Sequence, residues 1–213
     1  ATDMSTLGCI NLNKKNVMKK KYNIKTKDFV IGICSRFDFS KGYEYLIPGI
    51  SKIFKNSENI KVLIFNAKGP EENKVIELVK KYLPYNSHTF IPFEKDMSTA
   101  YSIMDVFIHV PISLNVEGFG LVYIEAMGSK LPCIFTKSGI GDEILKNKSN
   151  SIIVKHKNQE DISNALKFLY LNKDKRIEIG IKARKDVEEH FDKKRMVDDL
   201  SKLYKNEFQR FHV

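Results

Sequence analysis

Residues 29–42 read FVIGICSRFDFSKG. Six consecutive apolar or small residues, with Val30, Ile31 and Ile33 β-branched, lead into a polar loop carrying Arg36, Lys41 and Gly42, and an amphipathic stretch over 43–54 follows. A short run without alternation reads as a strand covered on both faces, as in a parallel sheet, and a helical stretch is what returns such a chain to the same edge. The unit recurs. Residues 61–65 read as a second strand, with a helix over 71–82 that closes before Pro84. Residues 88–91 are a third, after which Asp96 caps a short helix over 97–104. A fourth strand spans 105–109, and a loop ending in Glu117-Gly118-Phe119-Gly120 opens a helix to about Gly128. Residues 132–135 and 151–154 are the fifth and sixth strands, and the chain beyond Asn158 reads as helix in three segments, broken near Asn172 and near residues 190–192. Regular alternation of this kind predicts a doubly wound, Rossmann-like three-layer α/β domain with a mostly parallel six-stranded sheet and a helical C-terminal tail. Its ligands bind at the carboxyl ends of the strands, so the loops after Cys34, Phe65, Ile91, His109 and Phe135 should open on one edge.

The remainder bounds the chemistry. The 213 residues are 42% hydrophobic, enough to build a core, and 36 Lys and Arg against 26 Asp and Glu give a net charge of +10. That charge favours an anionic partner, whether a phosphate compound, nucleic acid or a membrane surface. No apolar run approaches the length of a membrane span, and the start at Ala1-Thr2-Asp3 lacks a signal-peptide pattern. Cys9, Cys34 and Cys133 are odd in number and widely spaced, which suggests neither a disulfide framework nor a zinc site and fits a reducing cytoplasm. The absence of an initiator Met suggests a piece of a longer protein. Residues 1–27, rich in Lys and Asn with little apolar periodicity, read as a lead-in segment, and 28–213 as the domain.

Two constellations carry chemistry. Arg36 and Lys41 lie in the loop after the first strand, a planar fork and a mobile point charge beside Gly42; they are either ordinary surface cations or phosphate ligands. Neither a P-loop nor a G-x-G-x-x-G fingerprint is present, which removes the usual support for ATP hydrolysis and NAD chemistry. The second is Glu117-Gly118-Phe119-Gly120 through Glu125-Ala126: two glycines at a helix start let backbone N–H groups approach an anion. Glu117 and Glu125, eight positions apart, would be separated by about 12 Å along a helix, outside the roughly 5–9.5 Å of paired glycosidase carboxylates, so the two should do different jobs. Glu125 lies among Val122, Ile124 and Ala126 on a helix expected to be largely buried, where a carboxylate needs a partner. His109 ends a strand at the ligand edge, either touching ligand or packed as a structural histidine; His88, His156, His190 and His212 have no constellation around them, and no spacing suggests a metal site.

Arg36…Lys41-Gly42, Asp105-Val106-Phe107, the Glu117-x7-Glu125 pair, Leu131-Pro132-Cys133-Ile134 and Gly139…Glu143-Ile144 occur in that order. Together they resemble the C-terminal half of the family 4 retaining glycosyltransferases, over residues 29–204, with a weaker echo at Gly8-Cys9-Ile10-Asn11. The resemblance implies a GT-B enzyme of two Rossmann-like domains, of which this chain is the nucleotide-sugar-binding one and the N-terminal acceptor domain is absent. It assigns Arg36 and Lys41 to the diphosphate and to the leaving-group charge, with no metal or other cofactor. Glu117 would stand beside the donor sugar, the backbone of Gly118, Phe119, Gly120 and Leu121 would meet sugar and phosphates, Glu125 would bind ribose, and Ile91, Pro92 and Phe93 would border the base. The family often has Gly where Pro92 stands, and usually a glycine immediately after the second strand, where this chain has Asn66. The implied reaction is hexosyl transfer from a nucleoside-diphosphate sugar to a polysaccharide, lipopolysaccharide or glycolipid acceptor held by the missing domain, the isolated chain being inactive. The competing reading is a non-catalytic sugar-nucleotide-binding module. Nucleic acid is not expected as a partner, for lack of any binding motif. The implied location is the cytoplasm, with the basic lead-in and the cluster around Lys193-Lys194-Arg195 offering peripheral contact at the inner face of a membrane, or simply a solvated helix face.

Overall fold

The computed structural model describes residues 7–8, 11–57 and 59–211; Cys9, Ile10 and His212 lie outside the described residues. All six expected strands form: β1 (Phe29–Cys34), β2 (Ile60–Phe65), β3 (His88–Ile91), β4 (Val106–His109), β5 (Cys133–Phe135) and β6 (Ile152–Ile153). Every pairing is parallel, in the order β3-β2-β1-β4-β5-β6. The winding reverses between β1 and β4, and a doubly wound sheet opens its ligand crevice at that point. The helices are α1 (Leu12–Lys21), α2 (Tyr43–Ser51), α3 (Glu72–Tyr82), α4 (Met97–Ser102), α5 (Leu121–Gly128), α6 (Gly141–Ile144), α7 (Gln159–Leu171), α8 (Lys173–Phe191) and α9 (Lys193–Phe211).

Strand alternation divides the core into two. Phe29, Ile31 and Ile33 of β1 face Leu46, Ile47 and Ile50 of α2 and Leu166 and Leu169 of α7. Val30, Leu63, Phe65, Phe107 and Phe135 face the other way, under Tyr101 of α4 and Ile124 and Met127 of α5. Each fully buried side chain of this size contributes about 1.5–3 kcal/mol, which makes both faces obligatory and fixes the strand register. The three-layer expectation is met. Asp105 has a structural role: its carboxylate accepts the Val30 N–H at 2.8 Å where β4 begins beside β1.

Three local features differ from the sequence reading. Residues 12–21, despite little periodicity, form α1, capped by Asn11 accepting from the Lys14 N–H at 3.0 Å. Its burial rests on Met18 and, just beyond its end, Tyr22; Lys21 (2.6 Å) and the Tyr22 hydroxyl both donate to Glu94. The helix over 43–54 ends at Ser51 and tightens into a 3-10 turn over Lys52–Asn56. The short α6 had no counterpart in the sequence reading.

Helix α8 crosses the turn between α5 and β5 at Gly180, where a Cβ would fall inside contact distance of the Lys130 carbonyl. Alanine favours helix by about 1 kcal/mol over glycine, yet backbone displacement costs about 1–3 kcal/mol. Gly180→Ala is therefore expected to be net destabilising, read as a lower urea midpoint with an unchanged slope.

Candidate active site

The loop after β1 is shaped from within. Phe37 is fully buried, edge-on to Tyr43 at 5.2 Å and Phe90 at 5.9 Å. The Asp38 carboxylate accepts from the Ser40 hydroxyl (2.6 Å) and N–H (2.9 Å), bonds that hold its pKa below the usual range and cap the single turn Phe39–Lys41. Gly42 closes that turn with φ +74°, and a Cβ there would collide with the Val110 carbonyl. Glycine thus lets the β1 loop lie against the β4 loop, where Ile112 N–H donates to the Ser40 carbonyl at 3.0 Å.

This approach joins residues 76 positions apart: Lys41 Nζ lies 2.7 Å from Glu117 Oε1. His109 Nε2 reaches the same oxygen at 2.8 Å, and the Glu117 N–H donates to Ser138 Oγ at 3.2 Å. Burial alone would raise the Glu117 carboxyl, but the bonds from His109 and Lys41 outweigh it and hold the pKa at about 2. His109, only 3% exposed, is pushed below the usual imidazole range by burial against the upward pull of Glu117, so it serves as a neutral Nε2–H donor at pH 7. Its ring stands edge-on to Tyr123 at 5.2 Å, and the Tyr123 hydroxyl donates to the Thr136 carbonyl at 3.0 Å. Side chains on Gly120 or Gly141 would strike the Tyr123 ring, so the two glycines make room for it.

Gly120 occupies the cap position of α5 with φ +87° and provides no side-chain hydrogen bond to the first N–H groups of that helix. A Cβ on Gly118 would meet nothing within 4 Å. The loop is braced from behind by residues after β5: Gly139 N–H donates to Leu114 O at 3.1 Å and Ile140 N–H to Phe119 O at 2.9 Å. Phe119 and Leu121 are exposed.

Glu125 belongs to a different environment. Tyr101 donates to its Oε2 at 2.9 Å, yet burial dominates and raises its carboxyl pKa. The nearby Cys34 thiol is pushed up to about 12 by burial and then by the Glu125 charge, so it is inert. Arg36 is exposed on the β1 loop and forms no ion pair among the described residues. Ile91 is buried in the core, so it can face a ligand only through its backbone, while Pro92 and Phe93 are exposed beyond it. Asn66 takes the left-handed φ of +58°, which asparagine tolerates better than most residues, and so fills the position usually given to glycine.

Sequence reasoning left His109 open and did not single out Tyr101 or Ser138. For Ser138, the adjoining Gly139, after a strand at the ligand edge, was the available signal; Tyr101 offered none, because its contact with Glu125 exists only across α4 and α5. Among the described residues, no group of three or more His, Cys, Asp or Glu could hold a metal ion, and no helix is long and apolar enough to cross a membrane.

The family model for glycosyl transferases group 1 matches residues 14–186. The capsular polysaccharide biosynthesis glycosyltransferase CapM of Staphylococcus aureus is 27% identical over 91% of this chain and 50% of its own. Among solved structures, HepE of Anabaena in complex with UDP and glucose superposes with a TM-score of 0.81 at 18% identity, over 94% of this chain and 55% of that one. The C-terminal domain of LpcC from Francisella tularensis, a glycosyl transferase group 1 family protein, superposes with a TM-score of 0.78 at 24% identity, over 91% of this chain and 100% of that one. The chain spans about half the length of the curated relatives it matches.

Proposed function

The chain belongs to the group 1 glycosyl transferases, and on that premise we propose that residues 28–213 are the donor-binding domain of a retaining, metal-independent enzyme. It would transfer a hexose from a nucleoside-diphosphate sugar to a polysaccharide, lipopolysaccharide or glycolipid acceptor held by a second domain. The observation that carries this reading is the meeting of Lys41 and Glu117 across the β1/β4 switch point, beside a helix start with open backbone N–H groups. CapM, a capsular polysaccharide biosynthesis glycosyltransferase, and the HepE complex with UDP and glucose support one of the acceptor classes and the donor class.

In this reading the diphosphate lies on the α5 N-terminus with Arg36 and Lys41 on its oxygens. The bond between the sugar C1 and the phosphate oxygen breaks with its electron pair going to that oxygen, and the two cations lower the energy of the charge that grows there. The acceptor oxygen bonds to C1 from the same face and its proton passes to the departing phosphate. Glu117 uses Oε1 for Lys41 and His109, so Oε2 is the oxygen that accepts from a sugar hydroxyl. Glu125 takes the ribose hydroxyls with Tyr101 holding its other side. The exposed Pro92 and Phe93 border the base.

Calorimetric titration with UDP, GDP and ADP, each with and without EDTA, tests the assignment. Saturable binding of one diphosphate unaffected by EDTA is expected; binding that EDTA abolishes overturns metal independence, and absence of binding in the full-length protein overturns the donor site. Gly118→Val gives a sharper contrast. Because its side chain would enter open space, the variant should keep the wild-type melting temperature while losing diphosphate-sugar affinity by at least about tenfold.

A further inference from the structure

We propose that the amino edge of the sheet carries a second site, for a phosphate monoester. A cavity of about 430 Å³ opens there among the segments that precede β1, β2 and β3, at the opposite end of the strands from Lys41 and Glu117. Its volume falls within the roughly 300–1,000 Å³ of small-molecule pockets.

The lining is rich in donors. Lys61 is buried, and its ammonium spends one bond on the Asn86 carbonyl at 3.0 Å, leaving two N–H groups. Ser57 Oγ is buried without a hydrogen-bond partner among the described residues. A buried hydroxyl without a partner is costly, and a ligand oxygen would recover that cost. Lys25 adds a second cation and Asn59 an amide. Among the described lining residues the one carboxylate is Asp28, whose Oδ2 is already occupied by the Lys25 N–H at 2.7 Å. Among those described residues two lysines stand against one aspartate. Burial holds the Lys61 pKa below its usual range, a penalty that an incoming anion offsets. A carboxylate has two oxygens to offer, whereas a phosphate monoester has three and about −1.5 to −2 charges, which suits donors converging from three loops. Phe54 and the 91% exposed Tyr85 flank the cavity and give the organic portion a surface to rest on.

The test is amide NMR titration of the chain with glucose 6-phosphate and with inorganic phosphate, glucose serving as control. Saturable shifts are expected at Ser57, Asn59, Lys61 and Asn86. Lys61→Met should weaken binding at least about tenfold, the loss of a charge-assisted contact. Ser57→Ala should also weaken it while leaving the melting temperature unchanged or higher, because it deletes an unpartnered group. Arg36→Ala should leave it unaltered. Tighter binding of the sugar phosphate than of inorganic phosphate identifies an organic ligand, and equal binding identifies free phosphate. The proposal is overturned if neither anion shifts these residues at millimolar concentration, if glucose shifts them equally, or if binding survives Lys61→Met and disappears with Arg36→Ala, since it would then be at the donor site.

Discussion

Lys41→Ala is expected to weaken nucleoside-diphosphate binding by about 1.5–3 kcal/mol, roughly 10- to 150-fold, as the loss of a charge-assisted contact. The residue is delivered by a rigid device: the buried Phe37, the Asp38 cap and the left-handed Gly42 together fix the turn from which its side chain leaves. Its ammonium already sits on Glu117 without ligand, and with three N–H donors it can keep that partner while contacting phosphate. The positive charge is thus pre-oriented, and little side-chain entropy remains to be lost on binding. Arg36→Ala should produce a comparable loss by a simpler route, since Arg36 has no ion partner to release among the described residues. The two variants separate in the free protein. Removing Lys41 leaves Glu117 with His109 alone, so its carboxyl pKa should climb and folding stability should fall; removing Arg36 should do neither. Calorimetry on both single variants checks the binding, and unchanged affinity in both would remove the phosphate-site assignment.

The parts of this arrangement that were legible in the sequence are those encoded locally. The apolar run over 29–34 could only be a covered strand, and Glu117-Gly118-Phe119-Gly120 could be placed at a helix start because glycines there have a backbone reason. Helix α1 escaped because a lysine-rich helix that buries little besides Met18 leaves almost no periodic signal; its position depends on Tyr22 and Lys21 finding Glu94, some 72 and 73 residues away. His109 was ambiguous for the same reason. A histidine at a strand end is compatible with packing or with ligand contact, and only the fold shows that it does something else, donating to Glu117 while packed on Tyr123. Glu117 and Glu125 were expected from their spacing to do different jobs, and the structure places them in different electrostatic environments. One is held ionised by two donors, and the other has its pKa raised by burial with a single tyrosine as partner.

That asymmetry makes the Glu117→Gln variant the most informative about pH. The Glu117 carboxyl is held at about 2 against an ordinary 4.5, so its contribution to stability is fully present above about 4.5 and is lost as pH falls toward 2. With its side chain 12% exposed, a contribution of about 2–3 kcal/mol is expected after allowing for solvent screening. His109 acts in the same direction in a higher window. Its folded pKa lies below the ordinary 6.5, so the folded state resists protonation, and the stability present above 6.5 erodes as pH falls below it. In Glu117→Gln the lower window should shrink by the Glu117 share, leaving the part contributed by Asp38, Glu94 and Asp96, whose carboxyls are also held below the usual range. The upper one should persist and deepen, because the imidazole loses the partner that pulled its pKa upward and still has Lys41 nearby to oppose its charge. His109→Asn should do the reverse, reducing the upper window to the part that the half-buried His88 contributes and shifting the Glu117 part of the lower one toward ordinary carboxylate pH, since one of the two bonds depressing Glu117 is weakened. Urea unfolding at a series of pH values from 7.5 to 3 gives both profiles. If the wild type and Glu117→Gln lost stability in parallel between pH 4.5 and 3, the carboxylate would not be held by Lys41 and His109 in solution, and the preorganised charge at the switch point would have to be assigned to other groups.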